Sequence, residues 1–548
     1  MTQPHRPVRV DQVAWAQLLP WLAIFKTFRM AIRPSKLGVA LVMLILIFVL
    51  GHGLDVVWGP QVYRGEVSAF GTKSPSQFND WRVERERQME LALRELIQSA
   101  SYAASGVTAS DILEKPNRYQ LTRDRLEAHF ANKLKRIDEL AAERLASGTD
   151  ESDVQKQKDR NLESLNRERH KAMGLLNALQ PIGIFRATFE YKFNAFDRLV
   201  QSAISLRFGF SQILAGQDTD PNTVVGSLRS MIYILPSWLY KTHPGFLALL
   251  SACVLLMIAF FGGALARLAA LDATGSSHVP MMSAFGFVCK RYLWFVLTPL
   301  MPVIMIVVIG LALCAGGFVF FNIPVLDMVG GLLFFIALGL GFAIAILLIF
   351  TLATYPLFYP ALVMEGTDSF DAVSRSFGYL VARPWHWFFY SVLALVYGAV
   401  GYLFLGAVIY LTLSVTHACI DMGVVTQMAD ETSRWHALMP QPRLGQLLYT
   451  FDWNAGLGFT GKVTAGMIWV WSFFLTSIIG AYTVSFFYCS NTVIYQLLRQ
   501  SSEQTRMDEI VAEATDEKPA PQQTPDKVEK PAEPTVENSD APSDAPQS

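Results

Sequence analysis

From Tyr292 to Met364 the chain carries a single charged side chain, Asp327. A helix crosses the roughly 30 Å hydrocarbon layer of a bilayer with about 20 apolar residues. Two such runs, 293–318 and 329–351, stand almost back to back here. Four more lie at 37–54, 246–265, 388–413 and 464–487. Apolar residues follow one another without the strict alternation of a barrel strand, so each run reads as a helix. The expected fold is all-α: a polytopic transmembrane helical bundle of about six spans.

Charge is distributed accordingly. Only 17% of the residues are charged, against about 25% in soluble proteins, and most of these lie in 55–245 and after residue 500. The expected organisation is a cytoplasmic or interfacial segment 1–36, a first span 37–54, an extracytoplasmic helical insert 55–245, a five-span domain 246–500 and a disordered acidic tail 501–548. The first run starts late for a signal peptide and meets no small-residue exit sequence, since after Leu50 the chain reads Gly51-His-Gly-Leu-Asp55, so it reads as an uncleaved anchor. Residues 11–33 combine Trp15, Trp21, Lys26, Arg29 and Arg33 around Pro20. They suggest an interfacial helix, with a helix packed on the bundle as the alternative.

Lysine and arginine in short flanks set orientation. Arg33, Lys36, Arg267, Lys290, Arg291, Arg375, Arg383 and Arg499 share one side if there are six spans. Both termini are therefore expected in the cytoplasm of a cell whose inner membrane holds the protein.

The insert reads as an extramembrane αα-hairpin with coiled-coil-like character. Leu126, Phe130, Leu134, Ile137, Leu140 and Leu145 recur at helical spacing, Gly148 supplies a stop, and Leu162, Leu165, Ala172, Leu176 and Leu179 follow on a second helix. Ser152 and Gln155 suggest a capping box. The aromatic run Phe185, Phe189, Phe193, Phe196 is expected to return the chain to the membrane. Gly316, Gly317, Gly330, Gly331, Gly339 and Gly341 suggest close helix packing in spans three and four.

Two turns echo each other. Phe285-Gly-Phe-Val-Cys-Lys-Arg291 precedes Tyr292-Leu-Trp-Phe295, and Phe377-Gly-Tyr-Leu-Val-Ala-Arg383 precedes Pro384 and Trp385-His-Trp-Phe388. They suggest that spans two–three and four–five are tandem pairs. Asp368 is placed to cap a helix whose Phe370, Val373, Phe377 and Leu380 share a face. The stretch 360–377, together with Gly262-Gly-Ala-Leu-Ala-Arg267-Leu-Ala-Ala270, resembles bacterial multi-pass membrane proteins without an assigned activity. More loosely it is similar to the membrane domain attached to some glycerophosphodiester phosphodiesterases. The resemblance spans about 245–500. The catalytic domain of those enzymes is absent, so their activity is not implied.

Site chemistry is sparse. No P-loop, nucleophile elbow or HExxH occurs, and Gly456-Leu-Gly-Phe-Thr-Gly-Lys462 reads as a loop. The five cysteines form no CxxC pair. His417 and Asp421 stand four apart near Asp430, Glu431 and His436, a spacing that fits a hydrogen-bonded helix end better than a metal site. No cofactor or metal is expected, and a net charge of −1 gives no reason to expect nucleic acid. Arg291, Arg383, Trp385, Glu365, Asp368 and Arg375 are the candidate contacts to lipid headgroups or a partner. The expected role is a non-enzymatic scaffold or assembly component, binding the bilayer through its spans and a protein partner through the insert. The alternatives are a handler of a lipid-like or neutral solute and an accessory to lipid metabolism.

Overall fold

A computed structural model of the protein describes residues 19–99, 109–115, 117–148, 150–210, 220–274, 281–323, 326–424, 434–443 and 459–503. The N-terminal Trp15, the pair Asp430 and Glu431, and the acidic tail from residue 504 lie outside them. Six helices are long and apolar enough to cross a membrane: Pro34–Trp58, Pro244–Ala273, Tyr292–Phe321, Leu326–Glu365, Pro384–Gly423 and Phe459–Glu503. The protein is an all-α polytopic membrane bundle with a helical insert between spans one and two. Among the described residues, extended pairing is limited to one isolated bridge, Val62 with Ile182.

Each span outruns its apolar run. The sixth has 45 residues, about 67 Å of helix, roughly twice the hydrocarbon thickness. The second does not close at Arg267. It continues to Ala273, with Gly263 to Leu271 all buried, because small residues there let it press against the last helix. The glycine-rich motif that carried the resemblance is thus core. Residues 459–462, read as a loop, are the first turn of the sixth span.

Three spans begin with the same device. Arg33-Pro34, His243-Pro244 and Arg383-Pro384 each put proline in the first turn of a span. Proline is tolerated there and pushes the preceding residue out of helical geometry. His243 and Arg383 have nearly identical backbones, φ/ψ −138°/60° and −139°/58°. Each is an elbow between a short helix and a span. Arg291 makes a fourth elbow without proline, between Met281–Lys290 and Tyr292–Phe321.

The last helix is the spine of the bundle. Ala481, Tyr482, Ser485, Cys489, Thr492 and Tyr495 are buried along it. A Cβ at Gly262, Gly398 or Gly401 would overlap the rings or hydroxyls of Tyr488, Phe486 and Tyr482 respectively, so these glycines permit the close approach. The expectation for spans three and four is corrected. A Cβ at Gly316, Gly317, Gly331, Gly339 or Gly341 would meet nothing within 4 Å, and only Gly330 is crowded, by Phe320. Those two spans pack on each other and join the bundle near Phe295, Thr298, Pro299, Pro302 and Thr354. Their remaining apolar faces are open, as suits helices in lipid.

Pro20 does not break a helix but opens one, Pro20–Phe25, which runs into Lys26–Ala31. Trp21 meets Phe389 edge-on at 6.2 Å, Phe25 meets Tyr397 at 5.0 Å and Phe28 meets Tyr482 at 5.6 Å. The described part of this segment therefore packs on spans five and six.

In the insert, Arg118–Ala146 and Glu151–Leu179 form the hairpin. They run antiparallel, with Arg123 bonded to Asn177 at 3.0 Å and Lys133 paired with Glu168 at 2.8 Å. Gly148 takes a left-handed φ of 83° just past the first helix. The capping box does not form: Asp150 holds the N-cap, Ser152 donates to Asp150 at 3.2 Å and Gln155 to Asp159 at 3.0 Å. Helix Pro75–Ser99 adds Leu93, Leu96 and Ile97 to the hairpin's inner half, against Leu126, Phe130, Leu165 and Leu176.

The aromatic run does return the chain to the bundle. Helix Ile184–Ile204 sets Phe185 and Phe189 on Phe48 of span one, at 6.3 and 5.7 Å, and Phe196 on Tyr402 of span five at 5.6 Å. Its N-terminus is capped from afar: the Asp55 carboxylate accepts the Phe185 and Arg186 N–H groups at 2.7 and 3.0 Å.

Candidate functional site

Most of the arginines and lysines that flank the spans gather at one end of the bundle, the end bearing the Arg33, Arg291 and Arg383 elbows. Each of these arginines lies just before a span, and each grips the end of the span that returns. Arg33 pairs with Asp272 near the end of span two, and Lys36 joins it at 2.6 Å. Arg291 donates to the carbonyl of Gly366, which closes span four. Arg383 donates to the carbonyl of Ser501 in the last turn of span six, at 3.2 Å. The last two bonds place a cation on a helix C-terminus, where carbonyls lack intrahelical partners and the dipole is negative. The geometry that repeats is thus a hairpin clasped at its open end: spans one–two, three–four and five–six. This differs from the two–three and four–five pairing that the turns suggested, because each turn precedes its unit rather than lying inside it.

Between the clasps lies a buried charge cluster. The Glu365 carboxylate, 4% exposed, accepts the Tyr495 hydroxyl at 3.0 Å and lies 3.3 Å from Arg499 and 3.4 Å from Arg375. Arg375 also meets Asp371 at 3.0 Å. Desolvation pulls its guanidinium pKa down, but the Asp371 hydrogen bond and the Glu365 and Asp371 charges together outweigh it and hold the pKa above its already high ordinary value. Asp368 caps helix Ser369–Ala382 by accepting the Asp371 N–H at 3.0 Å. Ser369 donates to the Trp294 carbonyl at 2.9 Å, tying that helix to span three. Tyr379 donates to Glu503 at 2.7 Å. Burial, then the Glu503 hydrogen bond, pushes its phenol up. Arg267 lies over the Phe287 ring at 4.4 Å with Arg291 on the same ring at 5.0 Å, and donates to the Val363 carbonyl at 3.5 Å.

Of the six expected contact residues, Glu365 and Arg375 come together, Asp368 caps the helix that carries Arg375, and Arg291 closes the adjacent helix end. All four are engaged within the protein. Arg383 and Trp385 stand at the span-five elbow, and Trp385 is 80% exposed. Sequence reasoning missed Lys36, Asp272, Tyr495 and the burial of Arg267 and Arg499. A basic residue inside the small-residue run Ala264–Ala270 was the one available signal for Arg267.

On the opposite end, buried His417 bonds the Met439 carbonyl through Nε2 at 3.1 Å, its own carbonyl accepts Trp435 Nε1 at 3.1 Å, and Asp421 lies 3.4 Å from His436. This geometry fastens a loop to span five. Among the described residues no three His, Cys, Asp or Glu side chains gather as a metal would require. The arrangement at the elbow end is suited to holding helices in register rather than to acid–base or nucleophilic chemistry: its carboxylate is saturated by cations and a phenol. No protein-family model, curated protein or solved structure matches the chain.

Proposed function

We propose that the protein is a membrane-embedded scaffold or assembly component that presents its insert hairpin to a helical protein partner. One observation carries this reading. The outer part of the hairpin leaves Leu134, Leu140 and Leu145 between 42% and 48% exposed on an otherwise charged, water-facing helix pair. Leu134 and Leu145, about three turns apart, lie on one face of helix Arg118–Ala146, and half-covered apolar residues on one face are what a third helix would cover. Further support comes from the elbow end, where the clustered charges bind one another. The solute-handling alternative draws less support, since spans three and four stand against lipid rather than closing a ring with the others.

We place the protein in a bacterial inner membrane with both termini cytoplasmic, on the strength of the Lys and Arg residues at the elbow end. A photo-crosslinking residue at Leu134 or Leu145, used in native membranes, should trap one reproducible partner. A crosslinker at the exposed Arg136 on the same helix serves as the comparison. If all three positions trap the same diffuse background, the scaffold reading is wrong.

A further inference from the structure

At the span-five elbow a cleft of about 460 Å³ opens between the N-terminal helix, the first turns of span five and the last turn of span six. Trp21, His386, Phe389, Tyr390, Gln500 and Ser501 line it. One wall is aromatic, with Trp21 edge-on to Phe389 at 6.2 Å and His386 edge-on to Tyr390 at 6.0 Å. The other is polar. Gln500 Oε1 is shielded from solvent and has no hydrogen-bond partner among the described residues. Arg383 stands outside this lining but reaches the carbonyl of Ser501, which belongs to it, with one N–H, and a guanidinium has five such donors.

The cleft's level is set by the elbow. Arg383 and Pro384 mark where the chain turns into the span, Trp385 is 80% exposed beside them, and tryptophans favour headgroup depth. Arginine matches phosphate oxygens with its planar fork. A shielded amide oxygen without a donor needs an N–H or O–H brought to it. Aromatic faces attract a cation. A phosphate and an ammonium a few bonds apart, attached to acyl chains in the same leaflet, satisfy all three.

We propose that this cleft seats the headgroup of an aminophospholipid, with its phosphate at Arg383, its ammonium against the Trp21–Phe389–Tyr390 wall, and the Gln500 side chain turned so that its shielded Oε1 meets that ammonium. Free inorganic phosphate shares the arginine chemistry but not the aromatic wall. An anionic glycerol headgroup lacks the cation.

The test is native mass spectrometry of the full-length protein released from mixed vesicles of phosphatidylethanolamine and phosphatidylglycerol. One retained phosphatidylethanolamine per chain is expected, depleted about tenfold in Gln500→Leu, the scale of one lost hydrogen bond to a charged group. Arg383→Gln should lower retention of both lipids. Trp21→Phe, which keeps an aromatic face, should retain most of the phosphatidylethanolamine, whereas Trp21→Ala should not. Each variant is compared at matched melting temperature and gel-filtration profile. Equal retention of the two lipids, competition by millimolar inorganic phosphate, or retention that appears only when residues 1–18 are deleted would each overturn the assignment. The last result would make the chain's own N-terminal segment the occupant.

Discussion

The Lys36 ammonium lies 2.6 Å from the Asp272 carboxylate, with the two side chains only 2% and 8% exposed. This pair, with Arg33 beside it, fastens the start of span one to the end of span two although the whole insert separates them in sequence. Removing one member of a buried pair strands the other, at about 3–5 kcal/mol. Asp272→Ala should therefore lower the melting temperature in detergent sharply. The double variant Lys36→Met, Asp272→Leu should recover most of the loss, because it removes both charges. If the double variant melts no higher than the single one, the loss in Asp272→Ala does not come from a stranded Lys36 charge.

The Glu365 cluster should be unequal in its parts. The Arg499 side chain is 7% exposed and the Arg375 side chain 38% exposed, though both reach the same carboxylate. Solvent already screens Arg375, so Arg375→Ala should cost about 1 kcal/mol or less. Arg499→Ala leaves a buried carboxylate short of its more deeply buried cation and should cost several times more. Melting of the two variants side by side tests this, and equal losses would mean that the cluster is solvated.

What the sequence disclosed follows from the physics that wrote it. Lipid requires long unbroken apolar runs, so all six spans were legible from Leu37 onward. The insert hairpin was legible because water demands charge on every face but one. Helix ends were not, because beyond the apolar run small residues such as Ala264 to Ala270 continue a helix without announcing whether lipid or protein covers it. The glycines of spans three and four misled for a related reason. Gly339 and Gly398 have the same intrinsic preference, and only the tertiary arrangement puts Phe486 over one and open space over the other. Lys36 and Asp272 belong to different hairpin arms, and neither neighbourhood names its partner. Arg291 and Arg383 were visible as a repeat. Their carbonyl targets, Gly366 and Ser501, were not, since a backbone acceptor has no sequence signature.

Glu66 gives the insert a pH dependence. It is 1% exposed, accepts the Tyr63 N–H at 3.1 Å and the Trp238 indole N–H at 3.4 Å, and lies 3.9 Å from Arg82. Burial pushes its carboxyl above the ordinary range, outweighing those three. The folded state then holds this proton more tightly than the unfolded state. Its contribution to stability is complete below the unfolded pKa, near 4.3, and is lost as pH rises through the higher folded value. Desolvation and Arg82 lower His243 nearby, and that contribution runs the other way, lost as pH falls. The difference between Glu66→Gln and the parent protein isolates the first effect. The variant should gain melting temperature relative to the parent as pH is raised from about 4.5 to 8. A gap that does not change with pH would rule out a raised Glu66.

Orientation has a direct readout. Cys289, Cys314 and Cys419 are exposed, so a cysteine-free parent is needed. In it, Ser164→Cys on the insert hairpin and Ser99→Cys at the end of helix Pro75–Ser99 should react with a membrane-impermeant thiol reagent once any outer barrier is opened. A cysteine replacing Arg375 at the elbow end should react only after the inner membrane is broken. The reverse pattern would put the insert in the cytoplasm.

Glycine substitutions separate the lipid-facing hairpin from the packed one. A Cβ at Gly339 or Gly341 meets nothing within 4 Å, so alanine there removes only glycine's backbone entropy and should favour the helix by about 0.5–1 kcal/mol. A Cβ at Gly401 would overlap the Tyr482 hydroxyl, and one at Gly51 the Phe185 ring. Tyr482 is fully buried and Phe185 is 5% exposed, so neither ring can move aside without repacking, and overpacking of this kind costs about 1–3 kcal/mol. Gly401→Ala should loosen span five from the spine, and Gly51→Ala should loosen the insert's return helix from span one. Gly339→Ala and Gly341→Ala should melt at or above the parent temperature. If instead Gly339→Ala destabilises as much as Gly401→Ala in native membranes but not in detergent, the open face of spans three and four is covered in the membrane by another protein. The proposed scaffold would then have a second contact surface within the bilayer, on the hairpin formed by spans three and four.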